Sequence, residues 1–259
     1  MLSGMSQPRP VALVTGPTTG IGRAFARELA RRGYDLVLVA RSEDKLAEVA
    51  DEVRALGAGA ELLPADLADR DSLAGVERRV GSADRPIELL VNNAGFGLKQ
   101  GLVDNDVEEE QRMLDVLVTA VLRLSHAATT SMLERGHGGV INVSSVAGYL
   151  PRGTYSAAKA YVTQLSRWAD ATYRDRGVRT MALCPGFTRT EFHQRMDVGP
   201  DSAPSWLWLD ADRLVRSALD DFDKGKAVSV PDVRYKAVVA VSKYVPTGVL
   251  SRFQSLGRK

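Results

Sequence analysis

The strongest constraint on this chain is an apolar run that stops at a glycine turn and restarts as a helix. Val11–Thr15 reads as a buried strand. GPTTGIG follows at 16–22, and residues 23–32 carry a helical pattern ended by Gly33. Strand, glycine turn and helix in this order are the context of a dinucleotide-binding loop. Glycines let the main chain approach a pyrophosphate, and the helix N-terminus presents N–H donors and a positive dipole end. Pro17 removes one donor from the loop, so Thr18, Thr19 and the later amides have to supply the rest.

The alternation continues along the chain. Apolar strands are read at 34–40, 61–65, 87–91, 140–143 and 179–183, with a last short strand at 227–230. Helices are read at 42–56, with Ser42 as N-cap, and around 69–80. A long one runs over 107–135, and others over 155–176, 210–223 and 232–245. Continuous apolar strands alternating with helices predict an α/β fold, a doubly wound parallel sheet of Rossmann type. Ligands on such sheets bind beyond the carboxyl ends of the strands. No repeat or linker divides the chain, so residues 1–259 read as one domain. Residues 1–9 are expected to be a disordered lead, and 187–225 to lie over the substrate side.

Composition excludes several function classes. The 259 residues carry 34 basic against 32 acidic side chains, a net charge of +2, which offers no nucleic-acid footprint. A lone cysteine, Cys184 in RTMALCPG, rules out an intramolecular disulfide and reads as a small buried hydrophobe. No uninterrupted run of eighteen apolar residues is present, so no membrane span is expected. MLSGMSQPRP lacks the apolar core of a signal peptide, and the expected location is the cytoplasm. Neither the three histidines nor Cys184 falls at metal-ligand spacing, and no G-x-S-x-G elbow occurs.

The candidate chemistry lies in SSVAGYLPRGTYSAAK, from Ser144 to Lys159. Tyr155 and Lys159 are four residues apart and share one face of a helix. An ammonium beside a phenol favours the phenolate and is expected to lower the Tyr155 pKa. A phenol tuned that way exchanges a proton with a carbonyl or alcohol oxygen near neutral pH. A serine hydroxyl from the preceding strand end would hold the same oxygen. At the end of the second strand, Ala40 stands where a carboxylate would bind a ribose 2′-hydroxyl, and Arg41 follows. A cation there suits a 2′-phosphate, so NADP is the expected cofactor.

Taken together, TGxxxGIG from Thr15 to Gly22, NNAG at 92–95, Ser145, Tyr155-x-x-x-Lys159 and Pro185-Gly186 resemble the short-chain dehydrogenase/reductase family over roughly residues 10–230. The resemblance implies a one-domain Rossmann-type fold, a nicotinamide cofactor and hydride transfer at a carbonyl or alcohol carbon. It implies that Tyr155 is the proton donor or acceptor, that Lys159 holds the nicotinamide ribose, and that Ser145 rather than Ser144 orients the substrate oxygen. Asp66 would contact the adenine edge, and Asn92 the cofactor side of the fourth strand. Pro185, Gly186 and Thr188 to Thr190 would face the nicotinamide. Ribosyl and phosphate contacts fall to Gly16, Thr18, Gly20, Ile21 and Arg41. Two departures stand out. Leu117 occupies the position of an asparagine that serves a proton-relaying water chain in the family, and only nine residues separate Ser145 from Tyr155, where about twelve are common.

The expected function is therefore an NADP(H)-dependent reductase or dehydrogenase of an apolar ketone or alcohol, of 3-oxoacyl or steroid-like kind. Phe96, Tyr149, Phe187, Trp206 and Trp208 are the apolar residues expected near the sheet's carboxyl edge. The two tryptophans read equally well as core or subunit packing. Leu117 keeps open a second reading, a cofactor-binding sensor or assembly partner with impaired turnover. The helices at 107–135 and 155–176 look wider in their apolar faces than one sheet face covers, which predicts a homodimer or a tetramer built from it.

Overall fold

In each strand successive side chains point to opposite faces, so a strand that is buried throughout must be covered on both sides. The first strand shows this: all five residues of β1 (Val11–Thr15) are buried. The computed structural model describes residues 9–190 and 204–242. Its other strands are β2 (Asp35–Ala40), β3 (Ala60–Pro64), β4 (Ile87–Asn92), β5 (Gly138–Val143), β6 (Val178–Leu183) and β7 (Val228–Ser229). They form one sheet in the order β3-β2-β1-β4-β5-β6-β7, with every neighbouring pair parallel. The strand order reverses beside β1, which opens a crevice between the carboxyl ends of β1 and β4.

The helices are α1 (Gly20–Arg31), α2 (Glu43–Ala55), α3 (Arg70–Val80), α4 (Val107–Leu114), α5 (Ala120–Arg135), α6 (Thr154–Tyr173), α7 (Ala211–Asp223) and α8 (Val233–Ser242). Side-chain caps fix several of their starts. Ser42 accepts from the Lys45 amide, Asp69 from Ser72 and Asp210 from Arg213. On one sheet face Phe25, Leu29, Leu46 and Leu219 pack over Ala12 and Val14. On the other Leu73, Leu124 and Met132 pack over Val11 and Leu13. Full burial of one such side chain contributes on the order of 1.5–3 kcal/mol.

The stretch 107–135 is helical throughout, as expected, and a π turn, Asp115–Thr119, shifts its register between α4 and α5. By length and composition this stretch is also the one among the described residues apolar enough to cross a membrane, although no uninterrupted apolar run exists in it. Its buried residues Leu124, Ala128 and Met132 belong to the sheet core. Within the 187–225 region, α7 is a core helix, with Val215, Ala218 and Leu219 packed among residues of α1 and the sheet. Residues 191–203 of that region lie outside the described residues, as do residues 1–8 and 243–245. Arg9, placed in the lead by sequence, is built into the fold. Its guanidinium donates to the Gly33, Ala30 and Gly57 carbonyls and closes the ends of α1 and α2.

Candidate active site

The glycine loop is held from both sides by the strands that flank the crevice. Thr15 Oγ1, at the end of β1, accepts from the Asn93 and Ala94 amides at 3.0 Å each. Asn93 Nδ2 returns bonds to the Thr15 and Gly16 carbonyls at 2.9 and 3.0 Å. Gly16 and Gly20 have φ of 65° and 53°, in the region that favours glycine. Gly22 is required for space: a Cβ there would lie 2.0 Å from the Gly16 carbonyl oxygen. Thr19, the N-cap of α1, makes no side-chain cap bond, and no acidic residue stands in the first turn. A backbone cradle with no room for a Cβ at Gly22, opening on a helix N-terminus without acidic side chains, fits a dinucleotide pyrophosphate. Thr18 lies half-buried in this loop, and Ile21 packs from the first turn of α1 into two apolar clusters.

Arg41 is exposed directly after β2. Asp66, after β3, accepts from the Ala68 amide at 3.0 Å and from Arg112 at 2.6 Å. Burial pushes its carboxyl up, but these donors and the nearby Arg41 charge outweigh that and hold it below the usual carboxylate range. No local motif marks Arg112, which only the fold brings to Asp66. Asn92 is differently placed from the expectation. Its side chain is buried, and its Nδ2 donates to Asn142 at 2.9 Å and Ser125 at 3.1 Å. Asn93, one residue on, is the one that reaches the glycine loop.

Beyond β5 the two serines separate. Ser144 is buried, donating to the Lys159 carbonyl and bonded to Thr163, both at 2.7 Å. Ser145 caps a short turn, Val146–Tyr149, accepting from the Ala147 amide at 3.1 Å, and its hydroxyl is near enough to the Tyr155 phenol to favour the ionised form. Tyr155 and Lys159 share one face of α6. Lys159 Nζ lies 5.7 Å from the Tyr155 ring centroid and donates to the Val143 carbonyl at 2.7 Å.

The expected lowering of the Tyr155 pKa is not found in the protein itself. Burial pushes the phenol up to about 12, against the Ser145 hydrogen bond, and burial brings the Lys159 ammonium down to about 8. Desolvation of both groups exceeds the charge effect that spacing alone suggests. Leu117 is fully buried, and its Cδ2 fills the space below Gly95, where a Cβ would also come within 3.9 Å of Lys159 Nζ. No side-chain amide stands there.

Pro185 and Gly186 follow β6. The Pro185 carbonyl accepts from the Val146 amide at 3.0 Å, which ties this turn to the Ser145 turn. A Cβ on Gly186 would lie 2.0 Å from the Tyr235 ring. The Tyr235 hydroxyl, from α8, accepts from the Phe187 amide at 3.0 Å and donates to the Leu207 carbonyl at 2.8 Å. Tyr235 therefore clamps the turn to the 204–209 segment, a role that no local motif signals. Thr188 is buried and spends its hydroxyl on the Gly186 carbonyl, while the Thr190 side chain covers Gly20. Phe187 and Trp208 stack at a tilt with centroids 5.6 Å apart, and Trp206 is exposed. Phe96 and Leu98 pack with Tyr155 around Met113, Leu117 and Ala158. Cys184 is buried, as expected, and burial pushes its thiol up.

Residues 10–199 match the family model described as short chain dehydrogenase. The chain is 34% identical to the very-long-chain 3-oxoacyl-CoA reductase of Anas platyrhynchos over 70% of its length, and it spans 60% of that longer relative. A short-chain dehydrogenase from Sphingobium yanoikuyae, solved in complex with NADPH, superposes with a TM-score of 0.84 at 34% identity. The match covers 93% of this chain and 95% of the other. The bulky-bulky ketone specific alcohol dehydrogenase from Comamonas testosteroni gives 0.78 at 30% identity, covering 93% and 94%.

Proposed function

Because this chain belongs to the short-chain dehydrogenase/reductase family, we propose that it is an NADP(H)-dependent oxidoreductase interconverting an apolar ketone and its alcohol. The observation that carries this reading is Tyr155 and the buried Lys159 on one face of α6, with Nζ 5.7 Å from the phenol ring centroid, beside the Ser145 turn at the carboxyl edge of the sheet. The nicotinamide, when bound, supplies or accepts the hydride. The remaining work falls to the chain's own groups. Ser145 Oγ and Tyr155 Oη together bind and orient the substrate oxygen. Tyr155, raised to about 12, holds its proton at neutral pH, the state required for delivery to a carbonyl oxygen as that oxygen gains charge. Lys159 places a cation near the phenol, which favours the phenolate left behind.

The cofactor preference rests on Arg41 and the absence of a carboxylate at Ala40, and it is in keeping with the NADPH bound to the Sphingobium relative. A charge-assisted contact to a 2′-phosphate contributes on the order of 1.5–3 kcal/mol, roughly tenfold to a hundredfold in affinity. NADPH should therefore bind more tightly than NADH, and Arg41→Ala should remove most of the difference. Titration by cofactor fluorescence checks this, and equal wild-type affinities would overturn the assignment.

The apolar substrate class rests on Phe96 and Leu98 next to Tyr155 and on the Phe187–Trp208 wall beyond Gly186. One relative is named as specific for bulky ketones and another as a 3-oxoacyl-CoA reductase. Leu117 favours a second reading, a cofactor-binding protein with little turnover. Tight NADPH binding without consumption of any apolar ketone would select it.

We also propose that the chain assembles as a homodimer or a tetramer built from it. Leu122 on α5 and Tyr161 and Trp168 on α6 are exposed apolar side chains on the two helices expected to pair. Light scattering should give at least twice the 28.0 kDa of the chain at micromolar concentration, and a monomer would contradict the assembly.

A further inference from the structure

Among the described residues, three charged side chains are buried: Lys159, Asp170 and Glu110. Lys159 belongs to the site. Asp170 is bound by Arg174 and by the Thr180 amide at 3.1 Å, which secures the end of α6. Glu110, 6% exposed in the first turn of α4, has no part in the proposed chemistry. Its Oε1 accepts from Asn105 Nδ2 at 2.7 Å and its Oε2 from Thr154 Oγ1 at 2.5 Å. Thr154 is the first residue of α6, and Tyr155 is the second. A carboxylate buried here costs free energy that an apolar side chain would not, unless its hydrogen bonds hold something in place.

What it holds is the start of the helix that carries the proton donor. The N-cap of α6 is Gly153, at φ 94°, which makes no side-chain cap bond. Residues 150–153 leading into it form no regular element. The first turn of α6 therefore lacks the cap that Ser42, Asp69 and Asp210 supply to other helices. Glu110, from a different helix, does not replace that cap but holds the Thr154 side chain by its hydroxyl and sets a negative charge near the positive end of α6. We infer that Glu110 is a positioning residue: through Thr154 it fixes the N-terminal turn of α6 and with it the direction of the Tyr155 phenol toward Ser145. This inference rests on the proposed role of Tyr155. Because a misplacement of about 1 Å at a reacting group costs up to a hundredfold in rate, a contact that never touches substrate can still set turnover.

The test uses the full chain and the variants Thr154→Val, Thr154→Ser and Glu110→Ala. Valine keeps the shape of threonine and deletes the donor, serine keeps the donor, and alanine deletes the acceptor. Two readouts are taken: kcat and NADPH affinity with the apolar ketone that the wild type turns over best, and amide hydrogen exchange across residues 154–158 without cofactor. Thr154→Val and Glu110→Ala should raise exchange in this turn and lower kcat about tenfold to a hundredfold, with NADPH affinity within about twofold of wild type. Thr154→Ser should restore both. Faster exchange with unchanged kcat would reduce the contact to a structural one and overturn the inference, as would unchanged exchange in both variants. Should the wild type turn over no ketone, the functional reading fails at that step, and the positioning of Tyr155 for proton transfer falls with it, while exchange still reports whether the contact exists.

Discussion

Tyr155→Phe is expected to lower kcat by about a hundredfold or more while leaving NADPH affinity little changed. Reduction of a ketone generates an alkoxide unless a proton arrives with the hydride, and general-acid catalysis by a positioned group contributes about 10²–10⁴-fold. Phenylalanine keeps the ring that packs with Phe96, Leu98 and Leu117 and removes only the hydroxyl. The loss should appear equally in kcat and kcat/KM, the signature of an interaction made at the transition state. Steady-state kinetics beside a fluorescence titration of NADPH separates the two effects. A variant that binds NADPH and turns over at the wild-type rate would remove Tyr155 from the chemistry.

Gly22→Ala is expected to act on the other half of the site. The new methyl would meet the Gly16 carbonyl at 2.0 Å and Asn93 Nδ2 at 2.4 Å. The first of these is backbone, so the loop must open. Overpacking of this kind costs about 1–3 kcal/mol, or roughly 2–12 °C in Tm for a chain of this size. Displacing the amides from the pyrophosphate should also weaken NADPH by about tenfold or more, the contribution of one charge-assisted hydrogen bond. Gly33→Ala is the control. Gly33 also has a positive φ, 91°, but nothing lies within 4 Å of an added Cβ, and the position is at the far end of α1. It should lose stability and keep its NADPH affinity. Equal affinity loss in both variants would mean that strain alone, not the cradle, is being measured.

These two predictions also show which parts of the molecule local sequence makes visible. Periodicity located every strand of the sheet to within a residue or two, because strands covered on both faces read as unbroken apolar runs. Tyr155 and Lys159 were legible because four residues are one helical turn, and Gly22 because strand, glycine turn and helix form one local unit.

What was not legible depends on burial or on contacts between distant segments. The direction of the Tyr155 pKa follows from desolvation, which spacing does not report. Asn92 and Asn93 are adjacent and chemically identical, yet only the second faces the glycine loop, because neighbouring residues at a strand end point opposite ways. Tyr235 clamps a turn 48 residues away. Glu110 lies in a run of three glutamates that reads as an ordinary acidic first turn, and only the fold brings it to Thr154. Helix α7 has buried Leu214, Val215, Ala218, Leu219 and Phe222 at the spacing of a core-facing helix, but which elements it packs against depends on the fold.

The most direct test of the account is to follow NADPH consumption by the wild-type protein with a series of bulky apolar ketones, with Tyr155→Phe run in parallel. The account predicts ketone-dependent oxidation of NADPH to NADP, formation of the matching alcohol in equal amount, and loss of at least about 99% of that rate in the variant. Tight NADPH binding with no ketone reduced by the wild type, or reduction that survives intact in Tyr155→Phe, would contradict it.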